Sequence, residues 1–160
     1  MLGPIFEPFY DTELEATRLF DDPLMVTVGS KNRWLRRRHL ALSDLMNDAW
    51  ILPPADTPIG VRCAEAFRTS GLDVPKSNVE SVSVQLQNGL LATQRFITMF
   101  PGSLIHFSGR RFAIKALPIK LPLPPLQIGI ITLRNRTISP AVQLFIKTAT
   151  EVTRPLAKEK

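Results

Sequence analysis

Apolar positions along this chain follow two different periods. Short runs of large and β-branched apolar side chains occupy Leu14–Phe20, Leu24–Val28, Trp50–Leu52, Asn78–Val82, Phe96–Phe100, Ile114–Leu117 and Leu126–Leu133. Runs of this length, bounded by Pro, Gly, Asp or Asn, predict strands. Between them the period becomes helical. Thr57 followed by Pro58 supplies an N-cap oxygen and a first residue that needs no amide partner. Ile59, Cys63, Ala66 and Phe67 then recur at i, i+4, i+7 and i+8 until Gly71 offers a stop. Ser139-Pro140 repeats the start signal ahead of an apolar face of Val142, Phe145, Ile146, Ala149 and Val152, with Arg154-Pro155 as its end. Ser81 or Ser83 suits the cap of a helix carrying Val84, Leu86, Leu90 and Leu91, and Ser43 that of a short one reaching Met46 or Asn47. Pro101-Gly102-Ser103 opens a segment with Leu104, Ile105 and Phe107 that Ser108-Gly109 closes. Asp21-Asp22-Pro23 predicts a turn between the first two strands, and Gly129 a bend or close backbone approach within the last. Strands alternating with amphipathic helices predict an α/β layered fold with a mixed sheet, and no fixed-period repeat is present.

Composition narrows the class. The 160 residues are 44% hydrophobic and 21% charged, enough for a packed core and unlike a disordered tail, a collagen chain or a coiled coil. The apolar stretch Ala116–Leu133 is broken by Lys120, Pro118, Pro122, Pro124 and Pro125, which makes it extended chain rather than a membrane helix. Met1–Tyr10 lacks the basic and apolar regions of a signal peptide. The single cysteine, Cys63, lies on an apolar helical stripe, and His39 and His106 stand apart from it. Neither a disulfide nor a zinc site follows, so the expectation is a cytoplasmic protein with no metal and no cofactor.

The net charge of +6 is unevenly spread, since 12 of the 14 acidic but only 9 of the 20 basic side chains fall in residues 1–80. No Asp or Glu occurs from Ser81 to Thr150, a stretch that carries Arg95, Arg110, Arg111, Lys115, Lys120, Arg134, Arg136 and Lys147. Paired-carboxylate chemistry is excluded there. A field of one sign favours an anionic partner, a carboxylate, a phosphate or a nucleic acid, with a scattered solvated surface as the plainer alternative. Lys31, Arg33 and Arg36–Arg38 read as a solvated loop rather than a nucleic-acid patch. Ser103 and His106 have the spacing of neighbours on a helix, yet neither Gly-x-Ser-x-Gly nor a nearby acid accompanies them. Gly-x-Gly-x-x-Gly and Walker-type motifs are absent as well. No catalytic residue is assigned, and the chain reads as a binding module rather than an enzyme.

Four stretches in order carry a resemblance: Leu19-Phe-Asp-Asp-Pro-Leu, the Leu45–Pro54 block ending Ala-Trp-Ile-Leu-Pro-Pro, Ala64-Glu-Ala-Phe-Arg with Gly71-Leu72, and Ile130–Ile146. Together, over about Gly3 to Leu156, the chain resembles the effector-binding domain of LysR-type transcriptional regulators. The resemblance implies a type 2 periplasmic-binding-protein-like α/β fold of two lobes, each with a mixed sheet, joined by hinge crossings near Ala49–Ile51 and Leu117–Leu123. Residues 1–49 and 121–160 would form a partial first lobe and residues 50–120 a complete second lobe. The winged helix-turn-helix, the linker helix and the opening of the first lobe would be missing from a chain truncated at its N-terminus. Implied too are a small-molecule effector, a carboxylate by the acid-free second half, held in the interlobe cleft, and homo-oligomers as in the family. Neither a membrane partner nor DNA contact by this fragment alone is expected, although the full-length family binds DNA.

Similarity places ligand contacts at Thr57, in the turn after the first crossing, and at Ser81, Val82 and Ser83, with Thr98 and Met99 on a third edge. Both main segments begin helices, whose free amides and dipole attract anions. Capping alone is the other reading of these hydroxyls. The alternative function is a free-standing solute-binding module with no role on DNA.

Overall fold

The structure, a computed structural model, describes residues 1–5 and 13–157; residues 6–12 and 158–160 lie outside the described residues. In chain order the described elements are β1 (Leu2–Pro4), β2 (Leu14–Asp22), β3 (Leu24–Gly29), two 3-10 turns (Arg33–Arg36 and Leu42–Leu45), β4 (Ala49–Leu52), α1 (Pro58–Thr69), β5 (Val79–Glu80), α2 (Val84–Ala92), β6 (Phe96–Pro101), α3 (Gly102–Phe112), β7 (Ile114–Ala116), β8 (Leu126–Leu133) and α4 (Pro140–Ala157). They form two compact units, one of Met1–Pro23 with Pro125–Lys160 and a second of Leu24–Pro124.

The second unit is a mixed five-stranded sheet in the order β5-β4-β6-β3-β7. Strand β4 runs parallel to β5 and β6, whereas β3 is antiparallel to β6 and β7. Successive side chains of a strand face opposite sides, and β6 shows the result. Ile97 and Met99 join Val26, Val28, Trp50 and Leu52 in the core that receives Cys63, Ala66 and Phe67 of α1. Phe100 instead joins Leu91 of α2 and Ile114 of β7, with Leu104, Ile105 and Phe112 of α3 packed beside them. Helices α1 and α2 therefore cover opposite faces of the sheet.

Thr57 caps α1 and Pro58 opens it, as the sequence predicts. Gly60 is required there, since a Cβ would lie 2.0 Å from the Pro54 carbonyl oxygen. Helix α2 is capped by Ser83, but its buried positions include Gln87 and Asn88, while Leu86 is exposed. Helix α3 passes through the expected stop at Ser108-Gly109, because Gly109 packs against Ile105 and the Ile114 carbonyl, and it ends at Ala113 in the left-handed region. The segment after Ala41 is a 3-10 turn, in which the Asp44 carboxylate accepts the Ala41 N–H at 2.9 Å.

The boundary between units differs from the expected lobes. Asp22-Pro23 makes no hairpin, since β2 pairs with β8 while β3 is hydrogen-bonded between β6 and β7. Residues 24–49 thus belong to the second unit, where Val26 and Val28 are fully buried. The chain changes unit at Pro23 and Pro124-Pro125, so Ala49–Ile51 and Leu117–Leu123 both lie inside the second unit.

The first unit is a three-stranded antiparallel sheet with β8 between β1 and β2, accompanied by α4. On α4, Leu156 is buried and Ile146 and Ala149 half-buried, whereas Val142, Leu144, Phe145 and Val152 are exposed. Pro155 sits in the last turn rather than after it. Gly129 is the close approach that its sequence position predicts: a Cβ would lie 2.4 Å from the Thr17 carbonyl oxygen and 2.3 Å from Ile5 Cδ1.

Replacing Gly129 by Ala forces backbone and side chain apart at one point of this sheet, an overpacking cost of about 1–3 kcal/mol. The expected outcome in hydrogen-deuterium exchange is faster exchange of the β1, β2 and β8 amides, with those of β4 and β6 unchanged.

Candidate ligand-binding site

Strands β5, β4 and β6 run parallel and end at one edge of the second unit. Leu52 pairs with Glu80, and Trp50 with Ile97, so the C-terminal ends of β4 and β5 are neighbours. From these adjacent ends the chain enters α1 through Pro53–Thr57 and α2 through Ser81–Ser83. The two helices leave to opposite faces, so their N-termini flank the neighbouring ends of β4 and β5.

The hydroxyls first organise this edge. Thr57 Oγ1 accepts the Gly60 N–H at 3.1 Å and donates to the Pro54 carbonyl at 2.7 Å. Ser83 Oγ accepts the Leu86 N–H at 3.4 Å, and Ser81 Oγ accepts the Ser83 N–H at 3.0 Å. The Ser81 N–H reaches back to the Leu52 carbonyl at 3.1 Å, which ties this turn to the end of β4. Val82 is 60% exposed beside them. The Val61 and Gln87 amides bond the Thr57 and Ser83 carbonyls. Of the first-turn donors, Ile59 in α1 and Val84 and Gln85 in α2 remain to face outward.

Thr98 and Met99 stand elsewhere. Thr98 is 0% exposed and donates its hydroxyl to the Ile51 carbonyl at 2.8 Å, pinning β6 to β4. Met99 is enclosed in the core under α1. The structure thus gathers Thr57, Ser81, Val82 and Ser83 on the strand-end edge and holds Thr98 and Met99 behind it.

Two positions escaped the sequence reading. The buried Gln87 side-chain amide donates to the Ser81 carbonyl, and Asn78 clamps Trp50, accepting its N–H at 3.2 Å and donating to its carbonyl at 3.0 Å. The signal for Gln87 is its place one helical turn before Leu91, on the inward side of α2.

Cys63 is a core side chain. Burial pushes its thiol up to about 12, against a smaller opposing pull from Arg62. Ser103 and His106 both lie on α3, and the exposed His106 ring meets Phe107 edge-on at 5.0 Å. Among the described residues no three His, Cys, Asp or Glu side chains come together as metal ligands, and no helix is long and apolar enough to cross a membrane.

A family model described as the LysR substrate binding domain matches residues 2–154. The chain belongs to the LysR substrate-binding domain family. Among curated relatives of this LysR-family chain, the transcriptional dual regulator GltC of Bacillus subtilis is 25% identical over 145 residues, covering 91% of this chain and 47% of GltC. The HTH-type transcriptional regulator GalR of Pseudomonas putida is 25% identical over 141 residues, covering 88% of this chain and 35% of GalR. The chain therefore spans about half the length of the curated relatives it matches, or less.

Solved structures agree on the fold. The CcmR regulatory domain of Synechocystis in complex with 2-PG superposes with a TM-score of 0.71 at 18% identity, covering 94% of this chain and 72% of that one. The BenM effector binding domain with its effector benzoate gives 0.67 at 24% identity, covering 96% and 68%. The fold is accordingly type 2 periplasmic-binding-protein-like, as in LysR effector-binding domains.

Two measurements follow. Thr57→Ala removes a cap and is expected to lower stability in urea unfolding by about 1 kcal/mol, with Thr57→Ser recovering most of it. Cys63 keeps its proton when folded, so its contribution to stability is complete below pH 9.0 and is lost as pH rises toward about 12. Over that window the unfolding midpoint of the natural chain is expected to fall more steeply than that of Cys63→Ala.

Proposed function

We propose that this chain is the effector-sensing part of a LysR-type transcriptional regulator, which acts on transcription when joined to a winged helix-turn-helix. Its ligand is a small anion, a carboxylate first of all, met by the amides of Ile59, Val84 and Gln85. The observation that carries this reading is the strand-end edge of β4 and β5, where adjacent strand ends send two capped helix N-termini to opposite faces of one sheet. Unpaired first-turn amides and the helix dipoles favour negative charge there. Asp56 and Glu80 flank the edge, but both are exposed, so water and salt screen their opposition.

Relatives support the ligand class. The BenM domain is described with its effector benzoate, and the QuiR effector binding domain, 21% identical, in complex with shikimate. The absence of any Asp or Glu from Ser81 to Thr150 adds a favourable background field. On this reading the protein is a cytoplasmic, non-enzymatic regulator component that works as a homo-oligomer.

The test is a titration of isotope-labelled protein with benzoate, shikimate and inorganic phosphate, followed by amide chemical shifts and thermal unfolding. Saturable shifts centred on Ile59, Val84 and Gln85, with a rise in melting temperature, are expected from at least one carboxylate. A wider panel of small carboxylates that leaves all three amides unmoved overturns the reading.

A further inference from the structure

The two units differ in how completely they bury their apolar side chains. Both clusters of buried apolar residues lie within residues 24–124. Outside that stretch the buried apolar side chains among the described residues are Ile5, Phe20, Ile130 and Leu156. The first unit sets one helix, α4, against its three strands. Helix α4 packs on β2, and its enclosed side is formed by Ile146, Ala149, Thr153 and Leu156. Beside that side, Val142, Phe145 and Val152 are 42%, 50% and 54% exposed. Phe145 and Val152 lie two turns apart along one line of the helix, with Val142 about a turn before Phe145. A contiguous exposed apolar strip of this kind marks an interaction surface.

The sheet of the same unit leaves an edge open. The Met1 N–H donates to the Ile131 carbonyl at 2.7 Å, the Ile131 N–H to the Met1 carbonyl at 2.8 Å, and the Ile5 N–H to the Gln127 carbonyl at 2.7 Å. In an antiparallel ladder every second residue bonds the partner strand, so the peptide groups of Leu2 and Pro4 point away from β8. Strand β1 ends the sheet order, and no strand lies on that side among the described residues. The Leu2 N–H and the Leu2 and Pro4 carbonyls are therefore offered outward, beside a Leu2 side chain that is 49% exposed. An open strand edge accepts a strand, and an apolar strip on a helix accepts a second helix.

The solved effector-binding domains indicate what covers such a surface. The CcmR and BenM domains superpose on 94% and 96% of this chain, which accounts for 72% and 68% of their own length. The rest of each domain is polypeptide added to the fold that this chain shares with it. The second unit already encloses its two clusters, so the first unit is where added chain finds apolar surface to cover. We propose that the α4 strip and the β1 edge form one docking surface for a further polypeptide segment, a β-strand joined to an amphipathic helix. The strand bonds the outward groups of Leu2 and Pro4, and the helix lies over the sheet beside α4, covering Val142, Phe145 and Val152. The spacing suits this. In the order β1-β8-β2, β1 lies two strand spacings from β2, about 10 Å, close to the distance between packed helices.

The probes are the two polypeptides that remain of the BenM and CcmR domains once the superposed part is removed, each titrated into the isotope-labelled full chain. At least one is expected to bind saturably, protecting the Leu2 amide from hydrogen exchange and moving the signals of Val142, Phe145 and Val152. Phe145→Asp is expected to weaken that binding about tenfold or more, the worth of one buried apolar side chain. Lys147→Gln, on the polar side of the same helix, is expected to leave it unchanged. Both positions are exposed, and equal melting temperatures without a probe confirm that the fold is kept. Binding that spares α4 and β1, undiminished binding by Phe145→Asp, or no binding by either probe would each overturn the proposal. So would movement of the same signals with protein concentration alone, which assigns the surface to a second copy of this chain. None of these outcomes bears on the amides of Ile59, Val84 and Gln85, so the strand-end site stands or falls separately.

Discussion

The enclosure of Trp50 is the constraint on which the second unit depends. Its side chain is fully buried, its ring meets Phe67 of α1 edge-on at 5.1 Å, and its indole N–H donates to the Leu45 carbonyl at 2.9 Å. Both of its backbone groups are held by Asn78. A buried indole contributes a large apolar area only when its one donor finds an acceptor, and here that acceptor belongs to a turn whose Leu42 and Leu45 are buried in the same core. One residue thereby fixes the Leu42–Leu45 turn, α1 and the approach to β5 relative to β4. The strand-end edge inherits its geometry from this arrangement, because Leu52, two residues on, anchors Ser81, and Ile51 anchors Thr98.

The division of labour between hydroxyls and amides follows from the same scaffold. Thr57, Ser81 and Ser83 spend their side-chain oxygens on holding turns in shape, so recognition falls to backbone donors whose direction those turns dictate. A similar economy appears in the basic loop after β3. Asp48 accepts both the Arg33 guanidinium at 2.9 Å and the Trp34 indole at 3.2 Å, which secures the loop at one end while Arg36, Arg37 and Arg38 remain in solvent. The density of positive charge there reflects a surface loop tied down at its base, in keeping with the plain reading of that run.

Most elements were legible in the sequence because their signals were local. Thr57-Pro58, the Trp50–Leu52 run and the Phe96–Phe100 run carry their own caps, breakers and periods, and each lies where expected. The partition into units was not legible in the same way. Leu24–Val28 looks the same whether it pairs with its predecessor or with strands much later in the chain, and only β6 and β7 decide it. Ser108-Gly109 failed as a stop because packing against Ile114 keeps α3 going, and the inward turn of Gln87 and Asn88 overrode the apolar pattern of α2. At the candidate site the helix-start positions were readable as caps. The enclosure of Thr98 and Met99 was not, because the depth of a strand residue depends on how many neighbours its sheet acquires.

The second unit is a single continuous stretch of chain set between β2 and β8, and this bears on the order in which the molecule is made. The first unit's sheet joins residues far apart in the sequence, as in the bond of the Met1 N–H to the Ile131 carbonyl, 130 positions apart at 2.7 Å. Closing so long a loop in an unfolded chain is entropically costly and slow. Once the inner stretch has folded the loop is far shorter, since Leu24 and Leu123, near its two ends, pack against the same core. Asp22 and Leu126 then meet as opposite residues of the β2–β8 ladder after only a few free links. The inner unit is therefore the template whose folding makes the outer sheet kinetically accessible, and emergence of β8 from the ribosome sets the earliest moment at which β1 and β2 can find their partner.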